Sequence, residues 1–228
     1  MSGFVPRFGS ERFRSFIGMT FWPYSLMNVS YAIIGSMLAP IVYWDRVIAI
    51  FIIYILALGI GAHALDAIGS GTKPWGKFLT NKQLAGLSVS SLIIALGIGS
   101  YYIITVTPLL IIIAVLEVFF LFAYNLEWFG KRFHTDKWFA VSWANLPVLA
   151  GYMIQTNSIS FTAVLMSVMA YFTAYVEISA SRPYRAIMKA GINPILQPNP
   201  TYYERILKSI VATVVILAIT MAVIRLLD

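Results

Sequence analysis

Residues 47–60 run through fourteen positions without a charged side chain, and runs of this kind limit what the chain can fold into more than any other feature. A transmembrane β-strand alternates polar and apolar residues over segments of about ten. This run does not alternate, so it reads as helix. Comparable apolar stretches occur at roughly 22–44, 47–69, 83–106, 107–128, 138–155, 158–180 and 203–226. Each is close to the ~20 apolar residues that a helix needs to cross the hydrocarbon core. The third and fourth are nearly continuous, and the break falls at Thr107-Pro108 because proline resists a helix interior. The expectation is an all-α, polytopic transmembrane bundle of about seven helices, forming one domain over 1–228.

Composition supports a bilayer as the solvent. The chain is 60% hydrophobic and 11% charged, against roughly 25% charged residues in a soluble domain. In water, a net charge of +7 would point to nucleic acid. Here the sixteen basic residues sort by loop, so no nucleic-acid partner is expected. Arg7, Arg12 and Arg14 precede the first stretch; Lys73, Lys77 and Lys82 follow the second; Lys131, Arg132 and Lys137 follow the fourth. Arg182, Arg185, Lys189, Arg205 and Lys208 surround the junction of the last two, and the opposite side keeps only Arg46 and Arg225. Alternate loops that are charged and bare predict a multi-pass protein of the cell membrane with a cytoplasmic N-terminus and cytoplasmic basic loops. Trp22, Trp44, Trp75, Trp128 and Trp138 fall near the expected span ends, as interfacial aromatics do. The first twenty residues show no apolar run with a small-residue cleavage site, so the start reads as mature protein. Residues 181–202 contain four prolines and read as a loop. The absence of cysteine removes thiolate metal sites and cysteine nucleophiles.

Ionisable groups at membrane depth cost at least ~2.5 kcal/mol on insertion scales, so each is a functional hypothesis. His63 and Asp66 sit at the end of the second stretch, three residues apart and so on one helix face. Such a pair either shares a metal or lets the carboxylate orient the imidazole; a hydrogen-bonded pair at a helix end is the alternative. Glu117, Asn125 and Glu127 fall in the fourth stretch, His134 and Asp136 in the loop after it, and Glu177 in the sixth. Three even-numbered stretches thus deliver acids and imidazoles to the side that carries the basic loops. The expectation is a polar mouth over an apolar bundle. Glu127, His134 and Asp136 carry donor atoms suited to magnesium, manganese or zinc, although their spacing fits no ligand motif and Lys131 and Arg132 neutralise them equally well. Glu117 is the deepest charge, with Tyr124 seven residues on along nearly the same face. It reads equally as a carboxyl bonded to a neighbouring helix or as a proton or ligand site. Asn28 and Asn145 are expected to bond between helices. Arg182 and Arg185 suit a diphosphate or a positive-inside anchor equally.

The segment 62–89, AHALDAIGSGTKPWGKFLTNKQLAGLSV, resembles the aspartate motif and following basic-proline loop of the UbiA superfamily of intramembrane prenyltransferases. Asp66 stands on the motif's last aspartate and Lys73-Pro74 on the basic-proline element. Residues 16–40 resemble the family's opening helix. Residues 123–153 are similar to its tyrosine-to-Lys-Arg loop and Pro-x-x-x-Gly helix, and 174–185 occupy the place of its second aspartate motif. Ala62 and His63 replace Asn and Asp in the first motif, and Ser181 stands where a metal-binding aspartate of the second would fall.

The resemblance implies a UbiA-like bundle acting on an isoprenoid diphosphate at a cytoplasm-facing cavity, with Mg2+ as the expected cofactor. His63, Asp66, Glu127 and Glu177 would be catalytic, and His63, Asp66, His134 and Asp136 would hold the metal. Lys73, Lys131, Arg132, Arg182, Arg185, Glu117, Tyr124 and Asn28 would bind substrate. Fewer carboxylates mean less cationic charge to offset a diphosphate. Two other readings therefore stand beside the prenyltransferase-like enzyme: a repurposed protein binding another divalent metal with a quinone-like or lipid molecule, and a non-catalytic membrane subunit or transporter.

Overall fold

The computed structural model describes residues 8–69, 79–190 and 199–228, and among these the regular secondary structure is all helix, joined by short turns. Arg7, Lys73, Trp75 and Lys77 lie outside the described residues. Helix α1, Glu11–Thr20, is capped by Ser10, whose side chain accepts the amide of Phe13. Phe21 at φ 43° takes the left-handed conformation and breaks the chain from α1 into α2, Trp22–Met37. Helix α3, Trp44–Gly69, is α-helical to Tyr54, π-helical from Ile55 to Ala62, and α-helical again from His63. Helix α4, Asn81–Thr105, opens with a capping box between Thr80 and Gln83. The chain turns at Thr107-Pro108 into α5, Leu110–Asn125.

Helix α6 is composite, built from Asp136–Ala140, a π-helical Val141–Asn145 and Leu146–Thr156. It is followed by α7, Phe161–Ala190, and α8, Pro200–Leu227. Residues 181–190 and 200–202, the two described ends of the 181–202 stretch expected as loop, are helix. Pro183 removes one amide donor, but Ala180 and Tyr184 on either side of it pack onto Leu207 of α8, and Arg182 pairs with Asp136 of α6.

Among the described residues, four helices are long and apolar enough to cross a membrane: α3, α4, α7 over Phe161–Met188, and α8. Their outward faces carry large apolar side chains such as Ile93, Ile104 and Ile216, exposed by 64%, 80% and 61%. Water would penalise that much bare hydrocarbon, whereas lipid chains accept it. The chain is a membrane protein.

Helix α2 is the most enclosed element, and it packs closest against α6. A Cβ on Gly35 would fall on the carbonyl of Val148, and one on Gly151 would fall on the carbonyl of Ala32. Ser36 Oγ donates to the Gly151 carbonyl at 3.0 Å. Small residues permit this backbone approach, which is how helices associate where no hydrophobic force separates them from lipid. Asn28 donates to the Trp143 carbonyl at 2.7 Å, and Asn145 to Ser167 Oγ at 3.1 Å, so both asparagines bond between helices. At the far end, Arg46 donates to the carbonyls of Ile154 and Gln155, and Arg225 to those of Met37 and Ala39. Each arginine closes the C-terminus of a helix, where orphan carbonyls and the macrodipole favour a cation.

Replacing Gly151 or Gly35 by alanine should destabilise the bundle by about 1–3 kcal/mol, the usual overpacking range. Gly97→Ala is the control, since nothing lies within 4 Å of a Cβ placed there. Thermal unfolding in detergent should show a lowered midpoint for the first two substitutions and none for the third.

Candidate functional site

Phe21, Tyr24, Asn28 and Tyr31 recur on α2 at heptad spacing and so form one stripe. The stripe is directed at the two π-helical segments and at α7. A π-turn inserts one residue into a helix, displaces the side chains after it, and is concentrated at functional sites. The first π segment ends at His63, whose Nδ1 lies 2.8 Å from the carbonyl of Leu58, five residues earlier. A carbonyl only accepts, so Nδ1 carries the proton, and Nε2 of the neutral ring is left as an acceptor. The ring stacks on Phe21 at 5.1 Å and meets Trp143 edge-on at 6.0 Å. Leu58 and these two rings therefore orient the imidazole. Trp143 belongs to the second π segment and also stacks on Phe139 at 5.3 Å.

The polar mouth lies where α3 ends, α5 ends and α6 begins. A Cβ on Gly69 would collide with the carbonyl of Asn125, so the ends of α3 and α5 touch through their backbones. The chain beyond α5 turns through left-handed conformations at Glu127, Phe129, Gly130 and Lys131, with φ of 54°, 56°, 65° and 67°. Glu127 thus falls beyond the helix that the sequence assigned it to. Its carboxylate pairs with Lys131 at 2.9 Å, and that hydrogen bond holds it below the usual glutamate range. His134 stacks on Tyr124 at 4.4 Å, with Nδ1 3.0 Å from the Tyr124 carbonyl. Thr135 caps α6, and Asp136 in its first turn forms an ion pair with Arg182 of α7.

Electrostatics joins these pieces. The charges that act on Asp66 are those of His134, Arg185 and Glu127. Tyr124 responds to Arg182, Arg185, Asp66 and Asp136, and Tyr24 to Glu177, Arg185, Tyr184 and Glu204. Arg185 is the shared neighbour: it acts on Asp66, Tyr24, Tyr124 and Glu177 alike. It is exposed and forms no ion pair among the described residues. Glu177, by contrast, is buried in α7 at 3% exposure.

The residues singled out from the sequence therefore divide into groups. Asp66, Glu127, Tyr124, His134, Asp136, Arg182 and Arg185 gather at the mouth, while His63, Asn28 and Glu177 lie deeper. Arg132 is an exposed loop residue. Glu117 is bonded elsewhere, accepting a hydrogen bond from Tyr54 of α3 at 3.0 Å. Among the described residues, no three of histidine, aspartate and glutamate group together as a cation site. His63 and His134 each rest Nδ1 on a carbonyl, and Asp136 is committed to Arg182.

Tyr24 and Tyr31 were legible through the heptad that contains Asn28, and sequence reasoning passed them over. Trp143 had no such signal, because a π segment is not visible as a pattern. No protein-family model, no curated protein and no solved structure matches the chain.

The Arg182–Asp136 pair ties α7 to α6 with side chains that are 44% and 29% exposed. A double-mutant cycle with Arg182→Ala and Asp136→Ala should return a coupling of about 0.5–1 kcal/mol that shrinks with added salt. Unfolding in detergent at two ionic strengths measures it.

Proposed function

We propose that this chain is a membrane-embedded, isoprenoid-modifying enzyme of the UbiA type, acting on a lipid-tailed diphosphate at the mouth formed by α3, α5, α6 and α7. The observation that carries the reading is the meeting of helix ends at one place: the backbones of Gly69 on α3 and Asn125 on α5 touch, and Asp136 at the start of α6 pairs with Arg182 of α7. In this reading α2 to α8 are seven spans, the N-terminus is cytoplasmic, and the mouth faces the cytosol. The alternation of basic loops supports that orientation.

The diphosphate would meet Arg185 first, with Arg182, Lys131 and Arg132 around it and Lys73 in the loop after α3. Guanidinium groups bind such oxygens bidentately. Lys131 and Arg182 are already paired with carboxylates, and exposed pairs of this kind are worth only ~0–1 kcal/mol. An arriving polyanion can therefore displace them. Asp66 and Glu127 are the carboxylates through which Mg2+ would accompany the diphosphate, contributing charge neutralisation of the leaving group. The isoprenoid tail would lie against the aromatic residues Phe21, Tyr24, Phe139 and Trp143, whose ring faces stabilise positive charge.

The commitment of Asp136 to Arg182, and of Glu127 to Lys131, favours a second reading in which the same scaffold binds a lipid or quinone without catalysis.

Incubating the purified protein in nanodiscs with allylic prenyl diphosphates and magnesium separates the two. Pyrophosphate release is expected, reduced at least about tenfold by Asp66→Ala and Arg185→Ala. No release from the wild type, or an Asp66→Ala chain that matches it, would remove the enzyme reading. A prenyl lipid that co-purifies unchanged would then support the second.

A further inference from the structure

At the end of the bundle opposite the mouth, the close of α2, the first turn of α7 and the last turns of α8 border a cleft of about 320 Å3. Met37 and Leu38 line it from α2, Thr162 from α7, and Met221, Ile224 and Arg225 from α8. Arg225 is the one charged side chain in that lining.

Two backbone bonds fix its guanidinium. Nε donates to the Met37 carbonyl at 3.0 Å and Nη2 to the Ala39 carbonyl at 2.8 Å. Both bonds use the side of the group that carries Nε. The end-on pair of N–H groups, one on Nη1 and one on Nη2, has no partner among the described residues. Such a fork takes two oxygens of one anion. No carboxylate among the described residues pairs with Arg225; Asp228, three residues on, is exposed and forms no ion pair with it. A half-buried, immobilised cation without a counter-ion thus stands in the wall of the cleft.

Helix α8 sets the depth of this cation. Lys208 and Arg225 are the charges that bound its apolar stretch, and seventeen positions separate them. At 1.5 Å per residue that is about 26 Å, close to the ~30 Å hydrocarbon core. Arg225 therefore lies where phosphates lie. Met221, one turn earlier on the same face, falls at acyl-chain depth, and Ile224 is 51% exposed. A soluble anion would satisfy the guanidinium and leave Met37, Leu38, Met221 and Ile224 uncovered. A phospholipid answers both halves of the cleft, and the exposed Thr162 hydroxyl can donate to its headgroup. With no acid in the lining, a net-negative headgroup gains more than a zwitterionic one, whose own cation would sit beside Arg225.

We propose that this cleft binds an anionic phospholipid, with its phosphodiester on Arg225 and an acyl chain over Met221 and Ile224. The site is separate from the mouth and does not depend on what is bound there.

Thermal unfolding of the full-length protein in neutral detergent tests it, with phosphatidylglycerol, phosphatidylcholine, myristate or inorganic phosphate added in turn. Phosphatidylglycerol should raise the midpoint more than phosphatidylcholine does. The part of that excess owed to the cleft, about 2–4 °C for one interfacial charge in a chain of this length, should disappear in Thr162→Trp and in Arg225→Gln. Thr162→Trp fills the cleft from an exposed position and leaves both Arg225 bonds in place, so it separates lipid binding from helix capping. Arg46→Gln, which removes the other arginine at this end, should lower the midpoint and keep the excess. An excess that is absent in the wild type, unchanged in either cleft variant, or lost equally in Arg46→Gln overturns the site. A matching rise with inorganic phosphate overturns the lipid, and one with myristate overturns the phosphodiester.

Discussion

The reciprocal approach of Gly35 and Gly151 is the contact on which the remaining geometry depends. Each glycine occupies space that a Cβ would take from the partner's backbone, and the Ser36 hydroxyl bonds across the gap. In lipid, little else drives two apolar helices together, so backbone proximity and short hydrogen bonds decide which faces meet. Once α2 and α6 are fixed in parallel at this depth, Asn28 must face Trp143, and Tyr43 must face Gln155 at the other end, where backbone and amide bond at 2.8 and 3.3 Å. The rest of the stripe on α2 then turns inward, carrying Phe21 onto His63 and Tyr31 toward Glu177.

The same crossing accounts for the two arginines that stand apart from the basic loops. Arg46 and Arg225 are not strays: each closes the end of one of the two crossed helices, Arg46 that of α6 and Arg225 that of α2. Arg46 also lies over the Tyr43 ring at 4.1 Å. A cation at a helix C-terminus interacts favourably with the dipole wherever the loop lies, so helix capping and topology draw on positive charge separately.

The hydrophobic runs were legible in the sequence as helices. The break at Thr107-Pro108 and the interhelical roles of Asn28 and Asn145 follow from proline geometry and the cost of a buried amide, whereas the first stretch, expected over 22–44, ends as helix at Met37 and the next helix already opens at Trp44. The helical stretch through Pro183 was not legible, because the packing of Tyr184 on Leu207 and the Arg182–Asp136 pair are tertiary and outweigh a local breaker. Nor were the π segments, whose extra residue changes which side chains face inward without altering the apolar pattern. His63 shows the consequence. Spacing offered Asp66, three residues on, as a metal-sharing partner, an orienting group or a plain hydrogen-bonded neighbour, while a π-turn supplies the carbonyl of Leu58, five residues back, to Nδ1.

The mouth and the interior differ in how their polar groups are satisfied, and that difference carries functional meaning. At the mouth, charges are paired on exposed side chains, Lys131 with Glu127 and Arg182 with Asp136. Such pairs exchange partners at little loss, because water competes for them. A few ångströms of burial reverse the terms. Asn28, Tyr31, Trp143 and Glu177 are buried, and burial without a partner costs a polar group its hydration. A bundle built only for stability would place apolar side chains at those four positions, since well-packed hydrophobic residues replace buried polar groups without loss.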